Sequence, residues 1–369
     1  MRVEYFDYSK MYQIDSPVYS RALESVLKRS DFILRGDLEE FENKLASKFS
    51  VKYCIGVANG TDAIWLSLMV AGIKQGDEVI LPSHTYVATA DAVHLIGATP
   101  VLVDCDDDHL VSTQGIEDAI TSKTAAIIAV NLNGRAANLT KISEIADSHG
   151  LKLVEDNAQG LGAKIDGRYA GSFGELSSLS FYPAKTFGCL GDGGAILTNS
   201  EDHDQKLRAM RNHGRDPLGQ VQMWGVNSRL DNLQAAVLLA RLPYLDSYFE
   251  RRREIASVYS SRFTGIEDLV IPASPGSEEN RYDTFQNYEV RIKNREKFRS
   301  HLSAHGVGSL LPWSGKAIHQ LNLPGVRSSS VVKTENFFKE ILMLPMNHYM
   351  SDQDVKYVSD VVTDYFLAN

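Results

Sequence analysis

Ser180-Phe-Tyr-Pro-Ala-Lys185-Thr-Phe-Gly-Cys-Leu-Gly-Asp-Gly-Gly194 sets a single lysine between an aromatic, strand-like run and a turn with four glycines within seven residues. Ser178-Leu-Ser-Phe-Tyr182 has strand composition and Pro183 ends its hydrogen-bonding ladder, so Lys185 is expected at a strand end, facing a cleft. Gly188, Gly191, Gly193 and Gly194 permit positive φ and close backbone approach, and Ala195-Ile-Leu-Thr198 resumes as a strand. The same letters also describe a surface lysine ahead of a Gly-rich hairpin. Only the rest of the chain separates the two readings.

Upstream, Leu151-Lys-Leu-Val-Glu-Asp156 reads as a strand ending in two carboxylates, followed by Asn157-Ala-Gln-Gly160. Tyr53-Cys-Ile-Gly-Val57 is a strand that runs into Ala58-Asn-Gly-Thr-Asp62 and a helix over 63–70. Free N–H groups, a hydroxyl and the positive dipole end make such a turn a suitable cradle for phosphate, although on these residues alone an ordinary Asn-Gly turn with a Thr cap is the preferred reading. Glu78–Leu81 is a further strand, and Tyr86 lies at its mouth within Pro82-Ser-His-Thr-Tyr-Val-Ala-Thr-Ala90. Strands at Pro100–Val103 and Ala125–Val130 alternate with helices over Thr113–Ile120 and Leu139–His149. Unbroken apolar strands separated by amphipathic helices imply an α/β fold with a mainly parallel sheet covered on both faces, and ligands at its strand ends. The run Asp104-Cys-Asp-Asp-Asp108 lacks the spacing of a calcium loop and reads as a solvated turn.

Two helices precede this core, over Pro17–Lys28 and over Asp37–Phe49 with Asp37 as cap. Helices at Asp202–Asn212 and Asp231–Leu242 follow it, the second apolar enough for an interdomain or intersubunit position. From Pro243 the composition changes to a helix over Tyr248–Phe263, a strand over Thr284–Ile292 and helices over Arg295–His305 and Asp352–Phe366. The division is therefore residues 1–242, a large domain with an N-terminal arm, and 243–369, a smaller α+β domain.

The totals exclude several classes of function. With 369 residues, a net charge of −9 and a pI near 5.6, the totals argue against a nucleic-acid or anionic-membrane surface while leaving room for a local basic pocket for a phosphorylated small molecule. Three widely spaced cysteines without C-x-x-C fit reduced thiols, not disulfides or zinc. The absence of H-E-x-x-H predicts no metal, and no G-x-G-x-x-G or Walker lysine motif occurs. With no apolar run near ~18 residues and no signal-peptide pattern at Met1, the expected location is cytoplasmic.

Taken together, Lys185, Asp156 and Gly60-Thr61 make the chain resemble the DegT/DnrJ/EryC1/StrS family of sugar aminotransferases, which are fold-type-I pyridoxal 5'-phosphate (PLP) enzymes. Asn59–Ala63, Pro82–Thr89, Gly97–Pro100, Glu155-Asp156, Ser180–Lys185, Gly191–Gly194, Asn212–Gly214 and Asn227–Asp231 carry the resemblance in order. It implies a large domain with a mainly parallel seven-stranded sheet covered by helices, and a smaller C-terminal α+β domain. It further implies that Lys185 forms the internal aldimine and shuttles the proton, and that Asp156 keeps the pyridinium nitrogen protonated. By the same resemblance Tyr86 stacks on the ring and Gln159 touches its phenolic oxygen. Gly60, Thr61 and Ser180 hold the phosphate with Asn227 of the partner subunit, which implies a homodimer with shared active sites. The implied substrates are L-glutamate and a nucleotide-linked keto-sugar, with a dTDP-keto-6-deoxyhexose favoured, for aminosugar or surface-glycan biosynthesis. Pyridoxamine phosphate carries the nitrogen between half-reactions. Arg229, His319, Tyr182 and Gln286 are the substrate-side candidates, with Arg211, His213 and Arg215 as further local cations.

Four positions depart from the family pattern. Gln286 stands where a histidine is common, Asn131-Leu-Asn133-Gly replaces His-Leu-Tyr-Gly, and Arg35 replaces a frequent glycine. They leave the substrate and regiochemistry open, including action at C4 of a UDP-linked sugar. A dehydratase of the same fold usually replaces the lysine with histidine, so Lys185 disfavours it. A nucleotide-binding α/β module without PLP is the reading from a different class.

Overall fold

The computed structural model describes residues 1–367. Its first helix, α1 (Tyr8–Arg29), begins well before the expected Pro17, because the Asp7 side chain caps it by accepting from Lys10 N at 2.9 Å. Met11, Asp15 and Tyr19 continue its buried face through the proline, which costs only one backbone hydrogen bond. Helix α2 (Gly36–Lys48) starts at Gly36, so Asp37 lies in its first turn and is not its cap. The Asp37 carboxylate instead takes an ion pair from Arg29 and accepts from Asn232 Nδ2 at 2.7 Å.

Alternation then runs as expected: β1 (Tyr53–Val57), α3 (Gly60–Val70), β2 (Glu78–Pro82), α4 (Val87–Leu95), β3 (Thr99–Val103), α5 (Thr113–Ala119), β4 (Thr124–Val130), α6 (Leu139–His149) and β5 (Lys152–Asp156). A small pair, β6 (Lys164–Ile165) and β7 (Arg168–Tyr169), precedes β8 (Leu176–Ser180), β9 (Gly194–Thr198), α7 (Glu201–Met210) and α8 (Asn232–Arg241). The sheet order is β1-β9-β8-β5-β4-β2-β3. β8, β5, β4, β2 and β3 are parallel, whereas β9 runs antiparallel to both its neighbours. Successive residues point to opposite faces. Ile127 and Ala129 pack with Ile142 and Ile145 of α6, while Ala126 and Ile128 pack with Ile64 and Leu68 of α3 and Val93 of α4. Both faces are therefore covered, and every parallel strand delivers its carboxyl end to one rim.

The C-terminal part contains α9 (Leu245–Phe263), β10 (Leu269–Val270), β11 (Arg281–Tyr282), β12 (Tyr288–Ile292), α10 (Arg295–Ala304), β13 (Arg327–Ser328), α11 (Val332–Glu340), β14 (Ile341–Leu344) and α12 (Asp352–Leu367). β10, β12 and β14 form an antiparallel sheet. β13 instead crosses to pair in parallel with β3, so the large sheet has eight strands where seven were expected. The strand expected from Thr284 begins only at Tyr288, because Phe285 takes φ +49° and turns the chain. The acidic run is less solvated than expected, since Asp104 Oδ1 accepts from Thr334 N at 2.8 Å at the start of α11.

One buried ion pair joins the two sheets. Glu289 on β12 faces His84 Nε2 at 3.6 Å and His109 Nδ1 at 2.5 Å, both histidines following strands of the large sheet. Burial pulls the His84 imidazole down, but Glu289 overrides it and holds His84 up at about 10. Burial likewise pushes the Glu289 carboxyl up, and the two imidazoles hold it well below the ordinary range. Replacing Glu289 by alanine strands buried His84 and should cost about 3 kcal/mol in urea unfolding at mildly acidic pH. His84 contributes fully below its unfolded value of 6.5 and loses that contribution as pH rises through about 10. The wild-type advantage should therefore shrink over that interval, and an advantage independent of pH would contradict the pair.

Candidate active site

Two ionisable groups meet at the rim of the large sheet. Beyond β8 the chain closes on itself, with Phe181 N donating to Gly193 O at 2.8 Å and Cys189 N to Phe181 O at 2.8 Å. Inside this loop a turn from Lys185 N to Tyr182 O, 2.8 Å, aims Lys185 inward. Its surface is partly open, yet its amine is deeply packed, and among the described residues no carboxylate lies within 4.0 Å of it. Burial draws the amine down to about 8, against the opposing attraction of Asp156.

Asp156 ends β5 and is 6% exposed. Its Oδ2 accepts from Thr89 Oγ1 at 2.8 Å and its Oδ1 from Ala158 N at 3.1 Å. Burial raises this carboxyl, while Thr89, Ala158 and Lys185 pull it back. The adjacent Glu155 points to the other face and performs a different task. Fully buried, it accepts from Asn131 Nδ2 and from the N–H groups of Gly171, Phe173 and Gly174 at 2.6–3.0 Å, fixing the turn before β8.

Across the rim, α3 opens at Gly60 with Asn59 as cap, its side chain accepting from Asp62 N at 2.8 Å. The first-turn N–H groups of Gly60 and Thr61 then have no helical acceptor. A Cβ at Gly60 would lie 2.9 Å from Ser180 Cβ, and one at Gly194 would lie 2.4 Å from the Asn59 carbonyl. Both glycines thus let the turn, the end of β8 and the start of β9 close into one wall. Ser180 Oγ accepts from Tyr182 N at 3.4 Å, which leaves its hydroxyl hydrogen to donate.

The remaining candidates divide. Gln159 Oε1 accepts from Asn133 N and from Asn287 Nδ2, each at 3.0 Å. His319 Nδ1 lies 2.7 Å from Ser83 Oγ at the end of β2, and burial lowers its pKa. Tyr86 caps α4 and is 58% exposed. Tyr182 is half exposed, beside Tyr8 of α1. Asn227 is exposed and pairs by its backbone with Asn212, whose Oδ1 accepts from Arg229 Nη1 at 3.1 Å. Neither Asn227 nor Arg229 is bonded to the Lys185 loop. Gln286 turns its whole amide onto the backbone beside Lys185, accepting from Thr186 N at 2.7 Å. Arg211 is committed to Glu42 and to Gly56 O at 2.8 Å, and is not a free cation. Thr89, Asn133, Asn287 and Tyr5 escaped the sequence reading as site residues. Thr89 had a signal in its place within the Pro82–Thr89 motif and Asn133 in its departure from the family pattern, whereas Asn287 and Tyr5 join only through tertiary contacts.

This donor set fits PLP end to end: helix N–H groups and a hydroxyl for a phosphate, a buried carboxyl for a ring nitrogen, and a lysine for an aldehyde. A mixed α/β sheet of this order with such a rim is that of fold-type-I PLP-dependent aminotransferases. The solved structure of S. venezuelae DesV in complex with a ketimine intermediate superposes with a TM-score of 0.93 at 35% identity, covering 99% of this chain and 98% of that one. The chain is 38% identical over 348 residues to dTDP-3-amino-3,6-dideoxy-alpha-D-galactopyranose transaminase of Aneurinibacillus thermoaerophilus, covering 94% of each. It is 36% identical over 338 residues to UDP-N-acetyl-3-dehydro-alpha-D-glucosamine 3-aminotransferase of Acidithiobacillus ferrooxidans, covering 91% of this chain and 90% of that protein. The pattern of the DegT/DnrJ/EryC1/StrS aminotransferase family matches residues 16–363, and the chain belongs to that family. It is a PLP-dependent aminotransferase.

The depressed amine is directly measurable. Acylation of Lys185 in the cofactor-free protein, followed by peptide mass spectrometry, should rise with a midpoint near the value of about 8. Asp156→Asn removes the attraction that holds the proton and should move the midpoint lower. A midpoint near that of free lysine, 10.5, would contradict the burial.

Proposed function

We propose that the enzyme moves the amino group of L-glutamate to a nucleotide-linked 3-keto sugar, with a dTDP-keto-6-deoxyhexose as the favoured acceptor. The observation that carries the transamination is a buried lysine, its amine drawn down to about 8, brought to the same rim as a buried aspartate. Both curated relatives described above carry the 3-position in their names, one on dTDP and one on UDP, which supports C3 and leaves UDP as the competing carrier.

The residues divide the work by position. When bound, PLP supplies an electron sink for the carbanion formed at the amine-bearing carbon. Lys185 would hold the aldehyde carbon of the cofactor, and its free amine would move the proton as acid and base, a task suited to an amine drawn down to about 8. Asp156, anchored by Thr89 and Ala158, holds a proton on the ring nitrogen. Gly60, Thr61 and Ser180 bind the phosphate. Gln159, with its oxygen already satisfied twice, presents its amide hydrogens to the phenolic oxygen. Tyr86 covers the ring, and His319, Tyr182 and Arg229 face the substrate.

The reading includes a homodimer in which Asn227 of the partner subunit completes the phosphate site. The hairpin before Asn227 supports this, since Leu218 and Trp224 are 84% and 96% exposed, an unusual load of apolar surface for a solvated loop. It also includes division at 242/243 into two domains. The cut falls just before α9, whose Leu245 and Phe249 pack on the large-sheet core while Ile255 and Phe263 pack on the C-terminal one. A cytoplasmic location is part of the same reading; no described helix is long and apolar enough to cross a membrane.

The test is a panel of dTDP-, UDP- and GDP-linked 3-keto and 4-keto sugars with isotopically labelled glutamate, read by NMR. Label at C3 of a dTDP-6-deoxy sugar is expected. Label at C4, or turnover confined to UDP sugars, would overturn the substrate, and no transfer to any sugar nucleotide would overturn the activity.

A further inference from the structure

The segment Thr284–Asn287 is built into the site in a way its sequence does not advertise. Thr284 N donates to Gly134 O at 2.7 Å and Thr284 Oγ1 to Leu161 O at 3.1 Å. Phe285 holds a left-handed φ of +49°, a conformation that needs support from its surroundings. Gly134 supplies room for it, since a Cβ there would lie 2.4 Å from the backbone nitrogens of both Phe285 and Gln286. Beneath, fully buried Arg252 of α9 places Nη1 3.0 Å from each of the carbonyls of Phe285, Gln286 and Met346. The backbone of this segment is therefore fixed from two sides.

From that fixed backbone two side chains reach the reactive rim. Gln286 Oε1 accepts from Thr186 N at 2.7 Å and from Thr186 Oγ1 at 2.8 Å, while Gln286 Nε2 donates to Ala184 O at 3.3 Å. Only one orientation of the amide satisfies all three, because flipping it would set N–H against N–H and oxygen against oxygen. Asn287 Oδ1 accepts from Tyr5 OH at 3.0 Å, and its Nδ2 donates to Gln159 Oε1 at 3.0 Å and to Asn133 Oδ1 at 2.8 Å. Gln159 Oε1 is thereby occupied, and its amide hydrogens must point the other way.

We propose that Gln286 and Asn287 are positioning residues of the catalytic site: Gln286 pins the backbone on both sides of Lys185, and Asn287 sets the direction of the Gln159 amide. Gln286, read from the sequence as a substrate-side residue, faces the lysine loop and not the substrate. The proposal rests on Lys185 as the amine that takes the cofactor. It makes the two departures at Asn133 and Gln286 parts of one scaffold that spans the N-terminal arm, the β4 end and the start of β12.

The test uses the full chain freed of cofactor, mixed with PLP and followed by the visible band that develops when an aldehyde condenses with a protein amine. Wild type should develop the band. Gln286→Leu, in protein shown to be folded by circular dichroism, should condense more slowly by about tenfold or more, the scale on which misplaced reacting groups lose rate. Asn287→Leu leaves the flanks of Lys185 in place and should keep the condensation rate while shifting the absorbance maximum of the bound cofactor. Should Gln286→Leu not fold, Gln286→Asn keeps a polar amide that is one carbon too short to span Ala184 and Thr186, and the same slowing is expected. Equal condensation rates in wild type and the folded Gln286 variant would overturn the clamp. An unshifted spectrum in Asn287→Leu would overturn the role of Asn287. A wild type without any band would sink the reading of Lys185 itself, and this inference with it.

Discussion

An amine and a carboxyl are sealed into the same desolvated rim without direct contact, and the rest of the site follows from that constraint. Burial disfavours both charges, lowering Lys185 and raising Asp156, while each partly restores the other. A tight ion pair would have kept the lysine protonated and useless as a nucleophile. Separation beyond 4 Å, with Asp156 held back by Thr89 and Ala158, leaves the amine within reach of its neutral form. The sheet makes this possible. Parallel strands bring β5 and β8 side by side with their carboxyl ends together, so residues far apart in sequence share one edge.

Close packing supplies the second half of the design. The Asn59-Gly60 turn, Ser180 and Gly194 lie within contact of one another because two of the four positions have no side chain. The Gly-rich turn after Lys185 therefore shapes the wall behind the Asn59-Gly60 turn. Glu155 plays a comparable architectural role from the opposite face, satisfying three backbone N–H groups so that β8 can start where it does.

Much of this was legible in the sequence, for definite reasons. Apolar runs between amphipathic helices specify a covered parallel sheet, and a residue that closes such a run must sit on its rim, as Asp156 does. Alternation along β5 even separates Glu155 from Asp156, since neighbours on a strand face opposite ways. Local signals failed where tertiary partners took over. Pro17 marks a helix start in isolation, yet α1 runs through it on the strength of the Asp7 cap and a continuous buried face. Asp37 reads as a cap until Asn232 claims it. The strand expected from Thr284 is broken by Phe285, whose turn depends on Gly134, about two fifths of the chain away. The scaffold of Tyr5, Asn133, Gln159, Gln286 and Asn287 leaves no periodic trace because its members come from four separate segments.

The central claim is that Lys185, and no other amine, is the group that takes the cofactor. Borohydride reduction of the PLP-loaded protein followed by peptide mapping measures this directly. The account predicts a pyridoxyl group on the peptide containing Lys185 and on no other lysine. A reduced adduct on a different lysine, or the absence of any adduct in protein that still transfers nitrogen from glutamate, would contradict it.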